Sequence, residues 1–146
     1  MPFLNVAPKH TCPYKLHIIV SGHAADQKEN RKRGGVMNDF PMISYRQLDK
    51  WMEEGKIRLL VDVREPWMYG ESRILGSVNI PYEEIGSRLG ELPEQGIIVF
   101  YCDRGAKSMV ICRDLWRQGY EAADLAGGML NYRGKYVDRR RLWDLK

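Results

Sequence analysis

The residues with the clearest chemical potential stand near the centre of the chain. Cys102 closes the apolar run Ile97-Ile-Val-Phe-Tyr101 and is followed by Asp103-Arg-Gly-Ala-Lys-Ser108. A thiol attacks as its thiolate, and a free pKa of ~8.5 falls beside cations or at a helix N-terminus. Both aids are encoded here. Arg104 and Lys107 bring positive charge, and the turn leads into a helical pattern whose first N–H groups have no helical acceptors. Gly105 permits the dihedrals and close approach that an amide cradle requires. Asp103 opposes the two cations unless it points away. Such a loop stabilises a thiolate or an anionic group attached to sulfur, so covalent catalysis through Cys102 is the sharp expectation. The plain alternative is a buried small residue, the common fate of a free cysteine. Cys112 falls at helical spacing with Met109, Leu115 and Trp116 and reads as packing.

The flanking sequence must hold that loop in place. Ser44-Tyr-Arg-Gln47 has the form of a capping box, Leu48, Trp51 and Met52 follow at helical spacing, and Gly55 stands at the stop. Ile57 to Val63 reads as a buried strand that ends in an Asp62/Arg64/Glu65 cluster. Ser77-Val-Asn-Ile80 is a second short strand closed by Pro81. Tyr82 to Leu89 predicts a short helix, and Leu92-Pro93 a turn. Ile97 to Tyr101 is the strongest strand, β-branched and aromatic. A helix from about Ala106 to Gln118 stops at Gly119; a strand near Ala122 to Leu125 precedes Gly127-Gly128. Alternating strands and helices predict a parallel sheet covered on both faces. Sites in such sheets form at the carboxyl ends of strands, where Asp62 and Cys102 both lie.

Charge is divided unevenly. Residues 1–36 hold six Lys and Arg against Asp26 and Glu29, which accounts for the whole net charge of +4; the remainder carries 17 basic and 17 acidic groups. A basic nucleic-acid surface on the domain is therefore not expected. No apolar run approaches the ~18 residues of a membrane span. Three cysteines without paired spacing point to a reducing, cytoplasmic setting rather than a disulfide framework. Residues 1–40 read as a leader of uncertain structure. Their apolar run Leu16–Val20 is shorter than the ~7 residues of a signal core. His10, Cys12, His17 and His23 are irregularly spaced for zinc, so no metal is expected. Lys32-Arg-Gly-Gly35 before Met37 is encodable by a purine-rich run that positions a ribosome, which makes Met37 an alternative start and the leader a separable segment. Residues 41–136 form the expected domain and 137–146 a tail, in which Arg139-Arg-Arg141 reads as a solvated patch beside Leu142 and Trp143.

Three stretches in order, Leu60-Val-Asp-Val-Arg-Glu65, Gly76-Ser-Val-Asn-Ile-Pro81 and Tyr101-Cys-Asp-Arg-Gly-Ala-Lys-Ser108, resemble the single-domain rhodanese family of sulfurtransferases. Gly119-Tyr120 and Leu125-Ala-Gly-Gly128 extend the likeness over about residues 42–136. The resemblance implies a rhodanese-like α/β fold, a five-stranded parallel sheet flanked by helices on both faces. It also implies an active loop from Cys102 to Lys107. In the family the loop cysteine takes the outer sulfur of thiosulfate or a similar small anionic donor. It holds that sulfur as a persulfide and passes it to cyanide, a thiol or a small redox protein, with no cofactor. Carried over, Cys102 is the nucleophile, the amides of Asp103, Arg104, Gly105, Ala106, Lys107 and Ser108 form the cradle, and Asp62 and Arg64 support the loop. Three departures are visible: Lys107 where relatives often carry Arg, Arg73-Ile-Leu-Gly76 in place of His-Ile-Pro-Gly, and Tyr132 where Trp is usual. Lys107 keeps the charge but gives up a planar, bidentate grip on an oxyanion.

Two other functions compete. Phosphatases of the related fold place five residues between cysteine and arginine; here the sixth residue after Cys102 is Ser108. The other rival is a non-catalytic rhodanese-like binding module, which usually lacks the cysteine.

Overall fold

The computed structural model describes residues 40–145. The expected leader residues, with the histidine set and the alternative start at Met37, lie outside the described residues, apart from Phe40. The chain runs β1 (Met42–Ile43), α1 (Tyr45–Glu53), β2 (Ile57–Asp62), α2 (Pro66–Glu71), β3 (Arg73–Ile74) and β4 (Val78–Asn79). Two 3-10 segments, Tyr82–Glu84 and Gly86–Glu91, lead to β5 (Ile97–Tyr101), α3 (Ala106–Arg117), β6 (Glu121–Leu125) and β7 (Val137–Asp138). Five strands form one parallel sheet in the order β1-β6-β5-β2-β4. β5 thus lies between β6 and β2, and its last residues are in register with Asp124 on one side (opposite Phe100) and Asp62 on the other (opposite Tyr101).

Side-chain alternation along β5 builds the core. Ile98, Phe100 and Cys102 face one way, packing with Val61, Val63, Ile111, Cys112 and Leu115. Val99 and Tyr101 face the other, packing with Leu48, Leu60, Ala123 and Leu125. A strand buried on both faces has to be apolar at every position, which is why Ile97–Tyr101 shows no polar alternation. Each fully buried Ile or Leu of these clusters contributes roughly 1.5–3 kcal/mol, so β5 is the rigid axis from which the cysteine loop springs.

Local signals explain the helix ends. The Ser44 hydroxyl accepts the Gln47 N–H at 3.2 Å, as a capping residue should. At the far end the Lys56 N–H returns to the Trp51 carbonyl at 2.9 Å.

Several local expectations are corrected. The short helix expected over residues 82–89 is divided into two 3-10 segments, with Arg88 at φ −121°. Gly86 and Gly90 weaken a segment already too short to nucleate well. The buried face of α3 is Ser108, Ile111, Cys112 and Leu115, whereas Met109 is exposed. Helix α2 and the antiparallel pair β3–β7 were not expected, because elements of two to six residues carry no readable period. That pair returns the C-terminal segment to the body. Arg73 reaches Asp138 at 3.2 Å and the Arg140 carbonyl at 2.7 Å. Trp143 lies against α2, where a Cβ on Gly70 would come within 2.9 Å of its ring. Trp143 nonetheless stays half exposed.

Candidate active site

Cys102 leaves the carboxyl end of β5 and is 5% exposed. Its sulfur is not in a purely apolar setting. The Gly105 N–H donates to Sγ at 3.0 Å, and the Ser108 hydroxyl lies 3.4 Å from it. Gly105 makes the first bond possible by adopting φ 108°, a left-handed conformation that turns its amide back toward the sulfur and opens α3. The loop is held from below by the turn after β6. The Met129 N–H donates to the Cys102 carbonyl at 2.9 Å, and the Leu130 N–H to the Asp103 carbonyl at 3.0 Å. Gly128 permits this approach, since a Cβ there would sit 2.6 Å from both carbonyl oxygens. The double glycine is thus a backing plate for the cysteine loop.

The loop cations occupy the mouth rather than the sulfur. Arg104, Ala106 and Lys107 are exposed. Lys107 Nζ is 3.9 Å from Glu83 and 5.4 Å from the centre of the Tyr82 ring. Asp103 is half-buried and close enough to Arg64 to favour its charged form. Of the cradle expected from Asp103 to Ser108, the Gly105 amide and the Ser108 hydroxyl are brought to Sγ. The remaining first-turn amides of α3 are donors without helical acceptors.

Beside the loop, Asp62 and Arg64 form a buried ion pair. The Asp62 carboxylate accepts the Arg64 backbone N–H at 2.9 Å, Nε at 2.9 and 3.0 Å, and Nη2 at 2.6 Å. Nη2 also donates to the Ser72 carbonyl at 2.7 Å, and the guanidinium lies 5.8 Å from the Tyr101 ring centre. Burial by itself would lower the Arg64 pKa, but hydrogen bonding to Asp62, with Tyr101 and Asp103 nearby, holds it above its ordinary value. Asn79 Nδ2 donates to the carbonyls of Asp62 and Arg64, both at 3.0 Å, tying β4 to the same corner. The Tyr101 hydroxyl accepts the Ile74 N–H at 3.0 Å and contacts Ser77 Oγ at 3.1 Å. Burial raises its pKa first, followed by the Asp62 charge, so it remains a neutral phenol.

Sequence reasoning missed Asp124. Fully buried in β6, it accepts the Ser108 hydroxyl at 2.5 Å. Burial pushes its carboxyl up to about 6, with the Ser108 hydrogen bond pulling the other way. A signal was present: a carboxylate inside the apolar run Ala122-Ala-Asp-Leu125 shares its face with Ala122 and must be buried if that strand is central. Cys112 is fully buried, and burial, then the nearby Asp124 and Cys102, push its thiol well above its ordinary value. Tyr132 fills its aromatic position by hydrogen bonding through its hydroxyl to Asp49, which also accepts the Lys135 N–H at 2.9 Å.

Comparison with known proteins agrees with this arrangement. A sulfurtransferase of Allochromatium vinosum is 37% identical over 79 residues, covering 54% of this chain and 68% of the relative. YtwF of Bacillus subtilis, assigned by name to the sulfurtransferases, is 31% identical over 93 residues, covering 64% and 90%. A rhodanese-related protein from Thermoplasma volcanium superposes with a TM-score of 0.63 at 24% identity, over 68% of this chain and 98% of that one; at that identity the likeness speaks for the fold. The model of the rhodanese-like domain matches residues 44–135, from the cap of α1 to the turn after Tyr132. With five parallel strands, a cysteine loop at the end of the central one and this match over most of its length, the chain belongs to the rhodanese-like domain family.

Proposed function

We propose that this protein is a sulfurtransferase that carries a sulfane sulfur on Cys102. The observation that carries the reading is the sulfur of Cys102 at the end of β5, facing the Gly105 N–H at 3.0 Å and the Ser108 hydroxyl. In the reaction, the Cys102 thiolate attacks the outer sulfur of a donor. A new S–S bond forms, the donor's own bond to that sulfur breaks, and its electron pair leaves with the departing group, sulfite if the donor is thiosulfate. The product is a Cys102 persulfide anion. An acceptor nucleophile, cyanide or a thiolate, then attacks the outer sulfur and returns Cys102 as a thiolate. Charge balances at each step, and no cofactor takes part.

Each loop residue has a role in this reading. The Gly105 amide supports negative charge on Sγ, and the amides of Asp103, Arg104, Ala106, Lys107 and Ser108 line the path to the outer sulfur. Arg104 and Lys107, exposed at the mouth, attract small anionic donors. Because Lys107 shares its charge with Glu83, its hold on a donor oxyanion is weaker than that of an unshared arginine fork. Asp62 and Arg64 keep the neighbouring strand end rigid. A small redox protein or free thiol is the acceptor class, nucleic acid is not a partner, and a reducing cytoplasm suits the free thiols of Cys102 and Cys112. Among the described residues no helix is long and apolar enough to cross a membrane. Residues 41–136 are the working unit, with 137–146 as an appended segment.

Intact-mass measurement after incubation with thiosulfate tests the proposal. One added sulfur is expected on wild type and none on Cys102→Ser. If wild type also gains nothing from mercaptopyruvate or glutathione persulfide, the protein is a binding module and the enzyme reading is lost.

A further inference from the structure

On the face of the sheet that carries Cys102, one buried carboxylate has no counter-ion among the described residues. Asp124 pairs in register with Phe100, is fully buried, and accepts the Ser108 hydroxyl on Oδ1 at 2.5 Å. Its Oδ2 is buried with no hydrogen-bond partner. The same Ser108 Oγ is 3.4 Å from Cys102 Sγ and 3.4 Å from the Gly105 carbonyl oxygen. A single hydroxyl therefore stands between a buried acid and a thiol. It carries one hydrogen, so it donates to one of them at a time while its lone pairs accept from the other.

We propose that Asp124, acting through Ser108, takes up the proton of the Cys102 thiol, so that the two acids share one proton across one hydroxyl. The inference rests on Cys102 being the nucleophile of the preceding section. In the step, the S–H bond breaks and its proton passes to Ser108 Oγ, while the Ser108 hydrogen passes to Asp124 Oδ1. Sγ becomes a thiolate, Asp124 a neutral carboxyl, and Ser108 remains a hydroxyl that now donates to sulfur. The negative charge moves from carboxylate to sulfur, and no second charge appears. Sulfur arrival and departure then proceed with the proton held on Asp124. Asp124 touches no substrate and is a positioning residue that works through its neighbour.

The surroundings favour this exchange. Two anions on either side of one hydroxyl would repel strongly in a site removed from water. An ionised Asp124 would leave Oδ2 desolvated and unpaired, whereas the neutral form removes much of that cost. The groups facing Asp124 are Ser108 and Cys112 of α3 and Cys102 at the end of β5; Cys112 is held neutral by burial. On the other side β1 places Met42 opposite Asp124. Among the described residues no Lys or Arg pairs with the Asp124 carboxylate. Burial has already raised that carboxyl to about 6.

The rate of Cys102 alkylation by iodoacetamide, read on its own peptide by mass spectrometry across pH, tests the pair in the full-length protein. Wild type is expected to show two rising limbs separated by a plateau, because interacting acids titrate in two macroscopic steps. Asp124→Asn should lose one limb. Ser108→Ala, which keeps both acids but removes the bridge, should move the lower limb to higher pH and slow alkylation several-fold at neutral pH. A single limb in wild type, superimposable on Asp124→Asn, overturns the proposal. Should Asp124→Asn fail to fold, the infrared carbonyl band of an un-ionised carboxyl gives a second reading. It is expected just above neutral pH in wild type and lost in Cys102→Ser; a band that Cys102→Ser leaves unchanged also overturns the pair. Alkylation needs no sulfur donor, so two limbs in a protein that forms no persulfide keep the pair and discard sulfur transfer. A persulfide with one limb does the reverse.

Discussion

Asp62 and Asp124 are both fully buried carboxylates, one on each strand beside β5, yet they are handled in opposite ways. Asp62 shares the sheet face of Leu60 and Tyr101, while Asp124 shares the face of Ala122, Phe100 and Cys102. Asp62 meets an arginine two residues along its own chain and accepts both side-chain and backbone hydrogens from it. Asp124 meets one hydroxyl and, among the described residues, keeps an oxygen unpaired. A buried charge with a geometrically matched partner becomes scaffold. A buried carboxyl without one drifts toward neutrality and becomes a proton store. The strand that ends in Cys102 thus has an ion pair on one flank and, on the proposal above, an exchangeable proton on the other.

The largest expected effect breaks the fixed side. Arg64→Ala strands the Asp62 carboxylate and should cost about 3–5 kcal/mol of folding stability, measured by urea unfolding. A loss no greater than that of an exposed ion pair would show that Asp62 does not depend on Arg64.

Asp124→Asn should act in the opposite direction and only at some pH values. The carboxyl is raised from 3.8 to about 6 in the folded protein. The contribution to stability is therefore fully present below about pH 4 and lost as the Asp124–Cys102 pair gives up its first proton, with pH rising through about 6. The asparagine variant should match wild type in acid and exceed it at neutral pH by up to about 3 kcal/mol. Equal differences at both pH values, in paired urea titrations, would uncouple the Asp124 proton from folding.

The smallest effect sharpens the comparison. Arg64→Lys keeps the charge but loses the fork, and should cost about 1–2 kcal/mol. Lysine performing as well as arginine would mean that charge alone secures Asp62. Thermal unfolding of the two Arg64 variants side by side separates charge from geometry.

Much of this was readable in the chain. The unbroken apolar run of β5, the Ser44 cap and the order of the three motif stretches placed Cys102 at a strand end inside a parallel sheet. The double glycine is visible in the sequence, but its task is not. Gly128 matters because the Cys102 and Asp103 carbonyls, some 25 residues earlier, come to rest on it. Arg73 shows the same limit: its burial goes with Asp138 and the Arg140 carbonyl, more than 60 residues along the chain. Met109 failed because helical spacing says which residues share a face but not how wide the buried stripe is.

Local bonding preferences along the chain determined where strands and helices lie and which thiol ends a buried strand, since period, capping and glycine act over a few residues. Tertiary structure alone decided that Asp124 is buried against Ser108, on the opposite face from Asp62, whose arginine stands only two residues along the chain. Neighbours in a parallel sheet come from distant parts of the chain, and a carboxylate's state depends on what surrounds it in space, which no local pattern records.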